Sequence, residues 1–346
     1  MENISEMPNK LITKQVGVSY LRIFSTICVI WLHTCSTLCE NQQLFILNKT
    51  QILFFNTAYQ AMYWAVPVFF MITGMLFLRQ ESHIEEKGWF SKHTRRVLMA
   101  LFIFGIPYAA LKIMISECLD ISILGKSILM VISDTGFGHL WYLYVLIGTY
   151  SIMPLLKCFC DKTTENEMKF VLIVLFIFDF CFPLISRLTE YKIAFCCQIT
   201  YPVFYVLMGH WLFEHKDRFK RNKLWIVLFS CVLMIWILNV FGLKADIWTQ
   251  YDSPLIVILA SSVFVLFINR EYRNTRHIWG IDRLCFGTYL IHPLFIQFTY
   301  RFLKVTPIDF SFYPVMTVLF AIVFISLAFT ATWIMRKIGF LRKYVL

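Results

Sequence analysis

Ten runs of mostly apolar residues, each 15 to 26 residues long, divide this chain and constrain its fold more than any motif does. The hydrocarbon core of a bilayer takes about 20 residues of helix per crossing. Within it each peptide group must find its partner inside its own segment, so such a run folds as a helix and not as an open strand. The runs are Val18 to Leu38, Leu53 to Leu78, Val97 to Ile115, His139 to Leu156, Phe170 to Ser186, Phe195 to Phe213, Leu224 to Gly242, Pro254 to Ile268, Leu284 to Leu303 and Phe312 to Met335. The stretch Ile121 to Ile132 reads as an interfacial helix outside the membrane. Composition agrees, with 59% hydrophobic and 15% charged residues and a mean hydropathy of +0.67. The expected class is an all-α integral membrane protein, a bundle of about ten transmembrane helices.

Charge in the connecting segments sets the orientation. With the N-terminus in the cytoplasm, 23 of the 32 Lys and Arg fall in inner segments. Lys49, Lys126, Arg187, Lys192, Lys244 and Lys304 fall in outer ones, and Arg22, Lys112 and Arg301 lie inside spans. This alternation follows the positive-inside rule and puts both ends in the cytoplasm. The net charge of +11 would suggest nucleic acid in a soluble chain, but here it sits in short membrane-flanking loops, so no nucleic-acid partner is expected. The first run is long enough to span and lacks a small-residue cleavage site, so it reads as a helix and not as a signal peptide. No linker or low-complexity tract breaks the chain. Residues 1–346 read as one membrane domain, a bundle over 18–335 with cytoplasmic tails at 1–17 and 336–346. The 11 Cys are scattered through apolar runs without zinc-type spacing, so no metal is expected, and Cys196 and Cys197 read as small apolar fillers.

Chemistry must then come from polar groups within the membrane, where a charged side chain costs roughly 2.5 to 3.5 kcal/mol at mid-helix. In "RIFSTICVIWLH" eleven positions separate Arg22 from His33, about 16 Å along one helix face. Thr26 and Val29 lie on the same stripe, and Ser36, Thr37 and Glu40 continue it outward. Snorkelling to headgroups would account for Arg22 alone. His33 lies too deep for that, which leaves a neutral structural histidine bonded to a neighbouring helix or a reactive one. Asp179 in "LFIFDFCF" is a carboxylate within a span that needs a partner or a proton. Pro293 in "YLIHP" cannot donate to the carbonyl of Tyr289, so a local break in that helix would aim His292 inward.

These segments resemble the integral-membrane acyltransferase family 3, which includes O-acetyltransferases of bacterial surface polysaccharides. The likeness rests on the Arg22-x10-His33 helix, "VPVFFMITGMLF" with Thr73-Gly74 where Ser-Gly is usual, "GHLWYLYVLIGTYSIMPLL", "YPVFYVLMGHWL" and "FGTYLIHPLFI", in that order. It covers most of the chain and is strongest to the branch that acetylates enterobacterial common antigen. The resemblance implies a multi-pass protein of the bacterial plasma membrane. Such an enzyme takes an acyl group, here acetyl, from cytoplasmic acyl-CoA and delivers it to a hydroxyl of a cell-surface or lipid-linked glycan. Arg22 would hold a phosphate or carbonyl of the donor. His33 would act on the thioester, either as general base for the acceptor hydroxyl or as an acyl-histidine relay. The general base is favoured because the outward polar stripe lets the acceptor approach from outside. Relatives often carry Arg-x-x-Arg before the third helix. Here Lys92-x-x-Arg95 or His93-x-x-Arg96 stands in that place, so Lys92, Arg95 and Arg96 are candidate donor contacts. His139, Trp141, Tyr142 and His292 are candidates for the acceptor side, against the alternative of an aromatic belt for Trp141, Tyr142 and Tyr144. Glu40 would orient His33 or a water, or stand as a solvated acid. Relatives fused to a serine racemase use a similar membrane domain to move serine, so a transporter is the rival reading. The sequence lacks the inverted repeats and paired broken helices such a porter shows.

Overall fold

The computed structural model describes residues 9–41, 43–79, 88, 93–116, 122–135, 137–196, 200–272 and 276–346, and the described residues contain no strand. Helices α1 (Asn9–Glu40), α2 (Lys49–Gln60) and α3 (Ala65–Phe77) come first. Asn48 caps α2 in a reciprocal pair with Gln51, which satisfies two otherwise orphaned amides. The second apolar run is divided at Ala61–Trp64. Pro67 has no N–H for the carbonyl of Tyr63, and the turn before it is held by three-residue bonds, Met62 to Tyr59, Tyr63 to Gln60 and Ala65 to Met62.

The chain continues as α4 (Arg95–Ser116), α5 (Ile123–Ile132), α6 (Trp141–Lys162), α7 (Glu165–Phe176) and α8 (Phe182–Thr189). Thr164 and Glu167 form the capping pair of α7. Between α7 and α8 a wider π-turn at Ile177–Cys181 carries Asp179, which is fully buried. Its partner is Thr200, whose hydroxyl donates to Oδ1 at 2.5 Å. Then follow α9 (Tyr201–Glu214), α10 (Arg221–Val240), α11 (Ala245–Trp248), α12 (Pro254–Ile268), α13 (Arg276–Asp282), α14 (Cys285–Gln297), α15 (Tyr313–Met335) and α16 (Gly339–Tyr344).

Seven helical segments of the described residues are long and apolar enough to cross a membrane: Val16–Glu40, Lys49–Phe77, Arg95–Met114, Gly138–Lys162, Glu165–Thr189, Arg221–Val240 and Tyr313–Met335. The other three expected runs are helical but shorter, as α9, α12 and α14. At 1.5 Å per residue, the 14 residues of α9 and the 15 of α12 give only about 21 to 23 Å. Most of their residues are buried, so protein and not lipid surrounds them. The lipid-like surface is carried by helices such as α10 and α15, where Ile226, Phe229, Leu233, Val315 and Ile322 are all exposed. So much apolar area in contact with water would be untenable for a soluble monomer.

The tightest helix contact joins two of the sequence motifs. A Cβ on Gly74 of α3 would lie 1.8 Å from the carbonyl oxygen of Val206, and one on Gly209 of α9 would lie 2.2 Å from that of Met71. The two backbones touch, as small residues permit where lipid offers no hydrophobic drive to association. Beside this pair α1 is fixed lengthwise against α12 and the segment that follows it. Tyr20 stacks on Tyr272 with centroids 4.6 Å apart, and Phe24 stacks on Phe267 at 5.3 Å. The Arg22 end of the bundle therefore holds the connections after α9 and α12, since Asn269 also donates to the carbonyl of Lys216 at 3.3 Å.

Candidate active site

Arg22 is paired with a residue that the sequence reading did not single out. Its Nη1 lies 2.7 Å from both carboxylate oxygens of Asp282, the last residue of α13, and Ser19 donates to Oδ2 at 2.8 Å. The Asp282 side chain is 8% exposed and that of Arg22 is 30% exposed, so one side of the guanidinium is anchored and the rest stays accessible. The only local signal for this was an acid placed directly before the apolar run at Leu284. The other hydroxyls of the α1 stripe are occupied. Thr26 donates to the carbonyl of Arg22 at 2.8 Å and Thr37 to that of His33 at 2.7 Å.

His33 meets two more imidazoles. Its ring centroid is 5.2 Å from that of His292, which is 5.9 Å from that of His139. The expected helix break at Pro293 does not occur: α14 runs through it. The freed carbonyl of Tyr289 instead accepts from Nδ1 of His292 at 2.8 Å. That bond puts the ring's proton on Nδ1 and leaves Nε2 as a lone pair, buried and without a protein partner. His139 is held through its backbone carbonyl, which accepts from the Tyr289 hydroxyl. Its ring packs edge-on against Tyr108 at 5.3 Å and Phe137 at 5.6 Å. His33 is only part-buried, and its ring nitrogens bond to none of the described residues.

What His33 faces is a cavity of about 540 Å³ at the end of the bundle remote from Arg22. Thr37, Glu40, His139, Trp141 and Tyr251 share its wall, with Arg301 at Asn41, which accepts from it at 2.6 Å. Trp141 and Tyr251 lie 5.2 Å apart and Tyr63 and Tyr251 5.0 Å apart, three aromatic faces in succession. Gln250 and Tyr251 come from the loop between α11 and α12, which sequence reasoning passed over as a connector. Glu40 lines the same cavity, although no bond to His33 is present. Tyr142 is not part of this wall. It packs inward on Phe70 at 5.0 Å and Tyr289 at 5.7 Å, and Tyr144 donates to the carbonyl of Val131, so neither forms a lipid-facing belt.

At the other end Arg96 donates through Nε to the carbonyl of Val345 at 2.9 Å and lies over the ring of Phe286. Arg95 is exposed and lies over Tyr344 at 5.6 Å. Lys92 lies outside the described residues. Among the described residues no three His, Cys, Asp or Glu side chains converge to hold a metal.

The described residues thus form a helical bundle of membrane-spanning length, with Arg22 toward one end of α1 and His33 farther along it on the wall of a cavity. Residues 15–337 match the family described as an acyltransferase domain, and the chain belongs to acyltransferase family 3. It is a multi-pass membrane acyltransferase. No curated protein and no solved structure matches it.

Proposed function

We propose that this acyltransferase moves an acetyl group from acetyl-CoA, held at the Arg22 end, to a hydroxyl of a surface or lipid-linked glycan that enters the cavity at His33. In this reading the protein sits in the bacterial plasma membrane with the Arg22 end in the cytoplasm. The observation that carries it is the open ring of His33: an imidazole on a cavity wall that bonds to none of the described residues has both nitrogens available to substrate. The acceptor hydroxyl gives its proton to His33 as its oxygen attacks the thioester carbonyl. The C–O bond forms, the tetrahedral intermediate collapses with loss of the C–S bond, and the departing thiolate takes the proton from the imidazolium. Glycan ester and free CoA result, and the imidazole is neutral again. His292, turned by its bond to Tyr289, packs behind His33 with centroids 5.2 Å apart and is buried away from the cavity wall.

Arg22 carries a fixed charge whose direction Asp282 sets, which suits an anionic or carbonyl-bearing donor arm. Arg96, anchored through Nε on the Val345 carbonyl, would serve as a second cation for the donor, so Arg96→Gln should raise the KM for acetyl-CoA about tenfold and leave turnover within a factor of two or three, in line with the loss of one charge-assisted bond. An unchanged donor KM in steady-state assays would remove Arg96 from the donor site. On the acceptor side, the Trp141 and Tyr251 faces suit the apolar face of a sugar ring. Trp141→Ala should raise the acceptor KM by roughly tenfold while the KM for acetyl-CoA stays put. A change confined to the donor would place Trp141 elsewhere in the cycle.

The direct test of the function is to follow radiolabelled acetyl-CoA in proteoliposomes and to compare the surface glycan of cells with and without the protein by mass spectrometry. A transferase consumes the thioester and adds acetyl mass to the glycan. A porter built on the same helices would leave the thioester intact and move a solute such as serine.

A further inference from the structure

A second cavity, of about 730 Å³, lies away from the histidines, between α7, α9, α10 and α12. Its floor is apolar, formed by residues such as Phe176, Met208, Leu224 and Val257. Its rim at the Arg22 end is cationic, with Lys169, Arg218, Lys220 and Lys223. One carboxylate serves part of that rim: Glu165 takes Arg218 at 2.6 Å and Lys169 at 2.6 Å. Lys220 and Lys223 are exposed and have no acidic partner among the described residues. They also stand where a helix tolerates cations least. Lys220 is the cap residue of α10, no side chain bonds its first amides, and its first turn holds no acid, so its positive dipole end is uncompensated.

Two further groups await partners in the groove. The indole N–H of Trp211, about one and a half turns before the basic loop, is buried with no acceptor. The Ser261 hydroxyl, deeper on α12, is likewise unpaired. An indole nitrogen can only donate, so its missing partner is an acceptor.

We infer that this groove binds an acidic glycerophospholipid, with the phosphate on Lys220, Lys223 and the first amides of α10, a glycerol-ester carbonyl at Trp211 and the acyl chains along the apolar floor. The charge complementarity specifies an anion, the floor specifies hydrocarbon, and a donor just below the cations matches the order of groups in a phospholipid. A zwitterionic lipid would bring its own ammonium to a rim already in cationic excess. A free phosphate would leave the floor empty.

The test is native mass spectrometry of the full chain, delipidated in detergent and offered equal amounts of phosphatidylglycerol, phosphatidylcholine and a polyprenyl phosphate. The wild type should retain phosphatidylglycerol at least about fivefold over phosphatidylcholine, and Lys220→Gln with Lys223→Gln should remove that preference, at about fivefold per charge. Both residues are exposed, so the double variant keeps its fold. Trp211→Phe should weaken retention of phosphatidylglycerol and phosphatidylcholine alike, since both carry the ester carbonyl. Equal retention of phosphatidylglycerol and phosphatidylcholine by the wild type, a preference for the polyprenyl phosphate, or an unchanged preference in the double variant would each overturn the proposal. None of these outcomes bears on His33, so the lipid site and the transfer reaction stand or fall separately.

Discussion

His33→Ala is expected to lower turnover in proteoliposomes by about 10²- to 10⁴-fold, the range that a positioned general base supplies, with both KM values within a few-fold of wild type. The physical reason is that no other group is arranged to replace it. His292 has committed one nitrogen to the Tyr289 carbonyl, and His139 is wedged between Tyr108 and Phe137. The substitution removes a part-buried ring that bonds to none of the described residues, so the fold should survive, and a thermal melt close to wild type checks this. His33→Gln, which keeps a hydrogen-bonding group but cannot take up a proton, should be as inactive. Acid quenching with labelled acetyl-CoA separates the two chemistries: a general base leaves no label on the protein, whereas an acyl-histidine relay does. Turnover within tenfold of wild type in His33→Ala would end the assignment.

The second large effect concerns assembly. Gly74→Ala is expected to destabilise the bundle by about 2 kcal/mol or more, a fall of roughly 4 to 8 °C in Tm, because the new methyl would meet backbone and not a flexible side chain. The nearest atom is the Val206 carbonyl oxygen at 1.8 Å, so α3 and α9 must part for it to fit. Gly148→Ala on α6 is the matched control. Nothing lies within 4 Å of its added carbon, and an alanine inside a helix is favourable, so its Tm should hold or rise. If the two variants melted together, the close contact between α3 and α9 would not be a determinant of the fold.

What the sequence made legible is what travels along a single helix. The 3.6-residue period put Arg22 and His33 on one stripe of α1, and Thr37 and Glu40 do continue it along the cavity wall. Apolar runs marked the helices, and the motif glycines at 74 and 209 turned out to touch each other's helix. Contacts made across the fold left no local trace. Asp282 is 260 residues from Arg22, and nothing in "WGIDRL" says which cation it will meet. The loop that brings Gln250 and Tyr251 to the cavity reads as an ordinary connector. Asp179 needed a partner, and Thr200 became one only after α7 and α9 packed. Pro293 shows a different failure. Its missing amide was read correctly, but the neighbouring His292 ring supplied the donor before the helix had to break. Tyr142, read as a belt or an acceptor residue, packs toward Phe70 and Tyr289 because α6 turns that side chain inward.

The most direct measurement of the central proposal is a structure of the protein in nanodiscs with a non-hydrolysable acetyl-CoA analogue. The nucleotide should lie at the Arg22 and Arg96 end. The thioester-mimicking carbonyl should sit close enough to His33 for one hydroxyl to bridge them, about 4 to 5 Å from a ring nitrogen. A carbonyl lodged more than about 10 Å from His33, or an analogue bound along the lipid-facing surface with Arg22 still facing only Asp282, would contradict it.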